Sequence, residues 1–285
     1  MAQFTEKLHK GYAQQMTLKG KLLAQEKSPF QRIKFFDTER NGRVLVLDDI
    51  VQLTTRDECA YSEMLTHLPM LEHGRARKVM IVGGGDIAIA EEALKHKGVT
   101  QVDNVEIDPR VIALSKKLLK TVNARAFADK RLKIRTEDAF VFLGRKEAKG
   151  AYDLVIADRP DPVGPAKVLF ADRFYRRVAG ALAPEGIAVF QNGVPFYQPE
   201  ELTVTVKQMR RTFKHVGVYL TVVPSYIGGF MALTWASNDA RLGSPERVAR
   251  AAKAFTKAKI ATDYYTPAIH AAAFALPRWI ERLVP

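Results

Sequence analysis

The sequence predicts an α/β protein in which a small β domain precedes a larger, mostly parallel sheet. Seven apolar runs beyond residue 78 recur at α/β spacing, with helix-like segments between most of them. The first run ends in Gly83-Gly84-Gly85-Asp86, and the second ends in Glu106, about twenty positions further on. Shorter apolar runs occupy the first part of the chain. We therefore expect an N-terminal β-strand domain at residues 1–72 and a Rossmann-like domain at residues 73–285.

The predicted elements follow from apolar runs and from the turn-forming residues between them. N-terminal strands are expected at 30–36, 43–49 and 50–54, after a mixed polar segment at 20–28, and a helix at 56–65 leads into the large domain near His73-Gly74. The large sheet is expected to contain strands at 79–82, 102–107, 132–136, 152–158, 187–191, 216–223 and 230–235. The last two follow each other through a Pro- and Gly-containing turn, which predicts a hairpin.

Length and composition restrict the class of protein. A chain of 285 residues with 47% hydrophobic and 26% charged residues can bury a full α/β core and carry a smaller unit. Its N-terminus lacks the apolar core of a signal peptide and no run reaches the length of a membrane span, so we expect a cytoplasmic protein without membrane contact. Cys59 is the single cysteine, which excludes an internal disulfide and a thiolate zinc cluster.

The net charge of +13 and the pI near 9.7 would suit a nucleic-acid-binding protein. The densest basic stretches lie at 116–135 and 247–259, and the second falls on an amphipathic helix that Ser244 and Pro245 would begin. A solvated helix face is the favoured interpretation, and no aromatic-rich basic groove is visible. We expect no nucleic-acid partner.

The glycine turn is the first candidate binding feature. Glycines at a strand end allow a ligand to approach the backbone, and a carboxylate at the tip of the next strand can accept both ribose hydroxyls. Residues 87–89 lack the later glycine of the dinucleotide pattern, and the Asp86 carboxylate would repel a phosphate. A sulfonium nucleoside such as S-adenosylmethionine, or a relative of it, fits better than NAD. Seven strands with a terminal hairpin indicate the class I S-adenosylmethionine-type sheet.

Acidic residues follow several predicted strand ends, namely Asp86, Glu106, Asp138, Asp158 and Asp161. Any single one could be a helix cap or a surface charge. Because the carboxyl ends of parallel strands meet at one edge of a sheet, together they predict a negatively lined pocket. Such a pocket suits a ribose, an adenine amino group and a polyamine or another cation.

The segment Asp158-Arg159-Pro160-Asp161-Pro162-Val163-Gly164-Pro165-Ala166 resembles the polyamine aminopropyltransferases, most closely the bacterial spermidine synthases. The likeness extends over nearly the whole chain, including Arg56-Asp57-Glu58, Tyr61, Gln191-Asn192-Gly193 and Pro224-Ser225-Tyr226. The resemblance implies a transferase of spermidine biosynthesis that moves an aminopropyl group from decarboxylated S-adenosylmethionine to putrescine and releases methylthioadenosine. It also implies a homodimer or homotetramer assembled through the N-terminal strands, and no metal.

By position, the resemblance implies that the co-substrate is bound by Gln31, Gly83, Gly85, Asp86, Glu106, Asp138, Ala139 and Pro165. The acceptor diamine would be bound by Gln52, Ser62, Asp161, Gln191 and Tyr226. Glu106 would hold the ribose and Asp138 the adenine amino group, while Asp86 and Asp158 would bind the aminopropyl ammonium. Asp158, aided by Tyr61, would accept the proton of the attacking amine.

The chemistry agrees with these roles, since an attacking amine needs a nearby base and sulfonium leaves without a metal. Ile87, Ala88, Asp49 and Ala139 replace usual glycines, and Ser62 stands where a His or Gln is usual. Arg159 replaces a small residue. It could weaken diamine binding, read an acceptor that bears a carboxylate, or point away from Asp158 by strand alternation.

Several alternatives stay open. They are an amine N-methyltransferase that uses S-adenosylmethionine, an aminopropyltransferase with a different acceptor, and a non-catalytic protein that binds polyamines or associates with nucleic acid. The acidic pair Asp158 and Asp161, together with Asp86, favours aminopropyl transfer, because the carboxylate of S-adenosylmethionine would meet like charges there.

Overall fold

The N-terminal strands form two small antiparallel sheets in the computed structural model, which describes residues 2–159, 169 and 171–285. β1 (Gln3–Glu6) pairs with β2 (Gln14–Thr17), and the other four strands form a meander of β3 (Ala24–Lys27), β4 (Arg32–Asp37), β5 (Arg43–Leu47) and β6 (Ile50–Thr54). The strands predicted at 30–36, 43–49 and 50–54 are thus present. Asp48 and Asp49 form the turn between β5 and β6 with φ of 48° and 68°, a conformation that Asp tolerates better than most residues.

The meander buries both of its faces. Ile33, Phe35 and Leu45 pack against apolar side chains of the large unit, including Val111 and Leu114. The opposite face carries Phe36, Val44, Val46 and Val51 and packs beneath the β1–β2 pair. Alternation along β4 and β5 therefore joins the small sheet to the large unit on one side and to the N-terminal hairpin on the other.

The large unit contains a seven-stranded sheet with helices on its faces. Its elements are α1 (Glu58–His73), β7 (Lys78–Gly83), α2 (Ala88–Leu94), β8 (Gln101–Glu106), α3 (Pro109–Leu118), α4 (Lys120–Ala128), β9 (Leu132–Thr136), α5 (Ala139–Phe142), β10 (Tyr152–Asp158), α6 (Asp172–Ala181), β11 (Leu182–Gln191), α7 (Pro199–Met209), β12 (His215–Val222), β13 (Phe230–Ser237), α8 (Pro245–Ala258), α9 (Pro267–Ala273) and α10 (Arg278–Glu281). The Rossmann-like, seven-stranded fold predicted from the sequence is confirmed, with every predicted strand present.

The strand order places the candidate acids together. Across the sheet the order is β12-β13-β11-β10-β7-β8-β9, parallel except for β13, which runs antiparallel to both of its neighbours. The order reverses at β7, so a crevice opens at the carboxyl ends of β7 and β10. In that pairing Asp158 lies opposite Gly83, and β8 brings Glu106 to the same edge.

Helix α1 links the N-terminal strands to the large sheet. It is longer than the predicted helix at 56–65 and continues through Pro69, because Met64, Leu65 and Leu68 are buried against the sheet. It ends at Gly74, whose φ of 80° suits glycine and whose N–H donates to the Met70 carbonyl. The domain boundary at residues 72 and 73 stays a prediction, and α1 packs against α2, α8 and β11 on the large side.

Within the described part of the chain, no helix combines the length and the apolar character that crossing a membrane requires.

Candidate active site

A cavity of about 450 Å³ opens between the small sheet and the carboxyl edge of the large sheet. Every predicted site residue that the structure describes lines it, namely Gln31, Gln52, Tyr61, Ser62, Gly83, Gly85, Asp86, Glu106, Asp138, Ala139, Asp158, Gln191 and Tyr226. Asp161 and Pro165 lie outside the described residues. The structure therefore brings together residues that are as far apart in sequence as Gln31 and Tyr226, although their individual roles stay predictions.

The glycine turn is dictated by close packing at the strand ends. Gly83 has a φ of 79°, and a Cβ on it would lie 2.2 Å from the carbonyl oxygen of Asp158. A Cβ on Gly85 would lie 2.9 Å from a methyl group of Val111 and 3.0 Å from Glu106 Cγ. Only glycine fits these two positions, so the backbone itself forms this wall of the cavity.

Ile87 directly follows the turn and departs from the usual glycine. Its φ of 68° is a left-handed conformation that a β-branched residue seldom adopts, and its side chain is fully buried in the core beneath α1. The backbone there is held by the Ile87 N–H, which donates to the Gly84 carbonyl, and by Asp86 Oδ1, which accepts from the Ala88 N–H at 2.7 Å. Burial of the isoleucine offsets the strain.

Asp158 lies at the end of β10 and is held by α1. The Tyr61 hydroxyl donates a hydrogen bond of 2.5 Å to Asp158 Oδ1. Burial and the nearby charge of Asp86 raise the pKa of Asp158 to about 7, and the bond from Tyr61 partly offsets that rise. Burial, together with Asp158, holds the pKa of Tyr61 well above its usual value, so the tyrosine keeps its proton and acts as a donor.

The other cavity acids are also perturbed by burial. Burial raises the pKa of Asp86 and raises that of Glu106 to about 7, although the Asp108 N–H donates to Glu106 Oε1 at 2.8 Å. Among the described residues, none of Asp86, Glu106 and Asp158 forms an ion pair with a Lys, Arg or His. A protein of net charge +13 thus carries a cavity in which these three carboxylates have no cationic partner within the described part of the chain.

Asp138 caps a helix and also lines the cavity. Its Oδ1 accepts from the Phe140 N–H at 2.7 Å and caps the short helix α5, while the residue lines the cavity beside Ala139. A helix cap and a ligand contact are compatible because a carboxylate has several lone pairs.

Amide and phenol side chains complete the walls. Gln31 donates to Asp108 Oδ2 at 3.0 Å, and Tyr226 donates to the Gln52 carbonyl at 2.6 Å while its ring meets that of Tyr61 edge-on. Gln191 Oε1 is buried without a hydrogen-bond partner in the described chain. A buried acceptor of this kind is available to a ligand donor.

Within the described residues, Arg159 donates its hydrogen bonds to carbonyl, hydroxyl and amide oxygens rather than to carboxylates of the cavity. Its side chain is 1% exposed and donates to the Leu169 carbonyl at 2.6 Å, the Tyr175 hydroxyl at 2.9 Å and the Gln191 carbonyl at 3.2 Å. Its guanidinium also lies over the rings of Tyr175 and Phe190. This geometry favours the interpretation that strand alternation turns Arg159 away from Asp158.

Four acidic residues that the sequence did not single out as site residues also line the cavity in the described part of the chain. They are Glu6, Asp48, Asp57 and Glu58. Asp57 accepts from the Ser225 N–H at 2.7 Å and from its hydroxyl, which fastens the start of α1 to the loop that carries Tyr226. Burial raises the pKa of Glu58 to about 7. The motif Arg56-Asp57-Glu58 was a sequence signal for the last two, whereas Glu6 lies in a short polar strand that gave none.

No group of three or more His, Cys, Asp and Glu side chains in the described residues is arranged to hold a metal ion.

The fold and the cavity define a Rossmann-like protein with an acidic pocket at the carboxyl edge of its sheet. Residues 58–244 match the family described as spermine/spermidine synthase domain, and residues 3–55 match the spermidine synthase tetramerisation domain. The chain is 44% identical over 281 residues to a polyamine aminopropyltransferase of Ruegeria sp., covering 99% of this chain and 98% of that protein. It is 39% identical over 285 residues to polyamine aminopropyltransferase 1 of Pseudomonas aeruginosa, covering 100% of this chain and 98% of that protein.

Two solved structures share the whole fold. A spermidine synthase in complex with the transition state analogue AdoDATO superposes with a TM-score of 0.91 at 28% identity, covering 99% of this chain and 94% of the other. The spermidine synthase of Thermotoga maritima superposes with a TM-score of 0.89 at 27% identity, with the same coverage. The chain belongs to the spermine/spermidine synthase family, and the resemblance predicted from its motifs is confirmed.

Proposed function

We propose that the protein transfers the aminopropyl group of decarboxylated S-adenosylmethionine to putrescine, giving spermidine and methylthioadenosine. The observation that carries the proposal is the Tyr61–Asp158 hydrogen bond inside a cavity that the carboxylates of Asp86, Glu106 and Asp138 also line. The activity named for the Ruegeria and Pseudomonas relatives supports it, as does the match to the spermidine synthase solved with AdoDATO.

The donor would lie along the glycine turn. Glu106, at the end of β8, would accept the two ribose hydroxyls, and Asp138 would accept from the adenine amino group. Asp86 and Asp158 would bind the ammonium of the aminopropyl chain. A cation that enters between carboxylates of raised pKa relieves their mutual repulsion, so the acids that repel one another in the cavity favour a positively charged donor.

The reaction needs a free amine at the point of attack. Tyr61 occupies Asp158 Oδ1, which leaves the other carboxylate oxygen for the acceptor. The amine nitrogen forms a bond to the carbon beside sulfur, the carbon–sulfur bond breaks with its electron pair moving to sulfur, and the proton passes from the amine to Asp158. A base of raised pKa is suited to this transfer near neutral pH.

The acceptor would be positioned by polar side chains of the cavity other than those assigned to the donor. Gln191 offers a buried amide oxygen that no described residue pairs, and Gln52, Ser62 and Tyr226 add further polar groups to the lining of the cavity. Asp161, predicted as a further acceptor ligand, lies outside the described residues.

The match of residues 3–55 to the tetramerisation domain supports assembly through the N-terminal strands into a homodimer or homotetramer. A cytoplasmic location remains the prediction made from the sequence.

The test is product formation. The purified chain is incubated with decarboxylated S-adenosylmethionine and putrescine, and methylthioadenosine and spermidine are measured by mass spectrometry. We expect both products, and their loss in Asp158→Asn. A parallel incubation with S-adenosylmethionine that yields S-adenosylhomocysteine would instead indicate methyl transfer, and methylthioadenosine formed only with another amine would change the acceptor.

A further inference from the structure

Glu58 is a cavity carboxylate to which the proposed reaction gives no role. It is the first residue of α1, and its spacing places it on the same helix face as Tyr61 and Ser62. All three residues line the cavity, together with Asp86. The Ser62 hydroxyl donates to Glu58 Oε2 at 2.9 Å and fixes the orientation of the carboxylate.

The environment of Glu58 is unfavourable for a negative charge. Burial raises its pKa to about 7 in spite of the bond from Ser62, and repulsion from Glu92 and Asp86 adds to the rise. No Lys, Arg or His among the described residues forms an ion pair with Glu58. A carboxylate in this state gains most from a cation that enters the cavity.

The position of Glu58 on α1 indicates which cation this is. Glu58 lies one helical turn before Tyr61, which donates to Asp158 Oδ1. Asp86 adds to the repulsion on Glu58, after Glu92 of α2, which does not line the cavity. Asp86 closes the glycine turn, where the donor would bind, and Ile89 of α2 lines the cavity on the same side. Glu58 therefore faces the part of the cavity that would hold the end of the donor chain.

We propose that Glu58, oriented by Ser62, is a second carboxylate ligand for the ammonium of the donor's aminopropyl group and that it selects against S-adenosylmethionine. This inference rests on the proposed function. S-adenosylmethionine carries a carboxylate on the same carbon as its ammonium, so the intact donor would place a negative charge between Asp86 and Glu58. Decarboxylation removes that charge and leaves an ammonium that both acids can accept.

Glu58→Gln tests the inference with little change in shape. The amide oxygen of Gln can still accept from Ser62, whereas the charge is lost. Titration calorimetry on the full chain measures the dissociation constants of decarboxylated S-adenosylmethionine, S-adenosylmethionine and methylthioadenosine. We expect the Kd of the decarboxylated donor to rise about tenfold or more. Methylthioadenosine has no ammonium, so its Kd should stay within about twofold of the wild-type value. The ratio of the Kd of S-adenosylmethionine to that of the decarboxylated donor should decrease.

Glu246→Gln is the matched control. Glu246 also lies in the first turn of a helix beside a serine, Ser244, but does not line the cavity, so it should leave all three constants unchanged. Equal weakening of the decarboxylated donor and methylthioadenosine by Glu58→Gln would show a structural role and overturn the inference. So would an unchanged donor Kd with a raised KM for the acceptor. Because calorimetry needs no turnover, a failure of product formation in wild type would overturn the proposed function separately.

Discussion

Gly83 lies opposite Asp158 in the parallel pairing of β7 and β10, so closely that a Cβ on Gly83 would lie 2.2 Å from the carbonyl oxygen of Asp158. The glycine turn and the candidate base are therefore one packed unit rather than two separate motifs. Asp158 can occupy its position only because Gly83, on the neighbouring strand, has no side chain.

Gly83→Ala should damage stability and activity together. The new methyl group meets backbone, and the φ of 79° disfavours alanine, so we expect the free energy of unfolding to fall by about 2–5 kcal/mol. Displacement of Asp158 should lower kcat/KM by about a hundredfold. Gly150→Ala is the control, since Gly150 has a φ of 62° and open space around it. Denaturant titration that gives equal losses for the two variants would contradict the close-packing argument.

Tyr61→Phe should move the pH profile as well as the rate. Loss of the hydrogen bond to a charged partner should lower kcat/KM by about ten- to a hundredfold. Because the bond from Tyr61 lowers the pKa of Asp158, its removal should shift the acid limb of the kcat/KM profile to higher pH. Tyr152→Phe, which removes a Tyr–Asp hydrogen bond of 3.0 Å to Asp103 outside the cavity, should leave the limb in place. A lower rate with an unmoved limb would mean that Tyr61 acts only by shape.

Glu106→Gln should stabilise the ligand-free protein at high pH. Burial raises the pKa of Glu106 to about 7, above its unfolded value of about 4.3, so the folded state holds the proton more tightly. The stability that this carboxyl contributes is full below the unfolded pKa and is lost as pH rises through about 7. The Tm gain of the variant should thus grow between about pH 5 and 8, by roughly 2–4 °C for each kcal/mol recovered.

Asp49→Asn should change the Tm in the opposite direction in the same thermal melts. The Lys34 ammonium beside Asp49 lowers the pKa of that carboxyl, so its neutralisation should lower the Tm slightly at pH 8. If the Tm difference between Glu106→Gln and the wild type is constant with pH, titration of the Glu106 carboxyl does not contribute to the pH dependence of stability.

Arg159→Met should cost stability without changing acceptor preference. The guanidinium donates to two backbone carbonyls and a tyrosine hydroxyl, and their loss should lower the free energy of unfolding by roughly 2–4 kcal/mol. Among the described residues its hydrogen bonds go to these acceptors and not to carboxylates of the cavity, so the ratio of kcat/KM values for putrescine and for an amine bearing a carboxylate should be unchanged. A shift in that ratio would show that Arg159 contributes to recognition of the acceptor.

Much of the fold could be predicted because its strands are continuous apolar runs buried on both faces. Val79, Ile81 and Val82 are fully buried, as are Leu154 and Ile156, and parallel pairing follows from their α/β spacing. The convergence of Asp86, Glu106, Asp138 and Asp158 followed from the same topology, since each comes at or just after a strand's carboxyl end.

Other features depend on contacts that a linear pattern does not contain. β1 and β2 are short and polar, and β11 begins at Leu182 rather than at residue 187 because a register shift opposite β10 accommodates the intervening turn-like residues. Burial of Glu6 and Glu58 in the cavity arises only once the small sheet covers the large one. The direction of the Arg159 side chain likewise depends on the carbonyls around it.

The Tyr61–Asp158 bond spans 97 positions of the chain, and the bond from Tyr226 to the Gln52 carbonyl spans 174. Closing loops of this length carries a large entropic penalty, which the many contacts of the finished structure must compensate. Helices and local hairpins can therefore form well before the cavity exists. During refolding, recovery of ligand binding should lag behind recovery of helical circular dichroism, and a nascent chain on the ribosome has no site until the loop that carries Tyr226 has emerged.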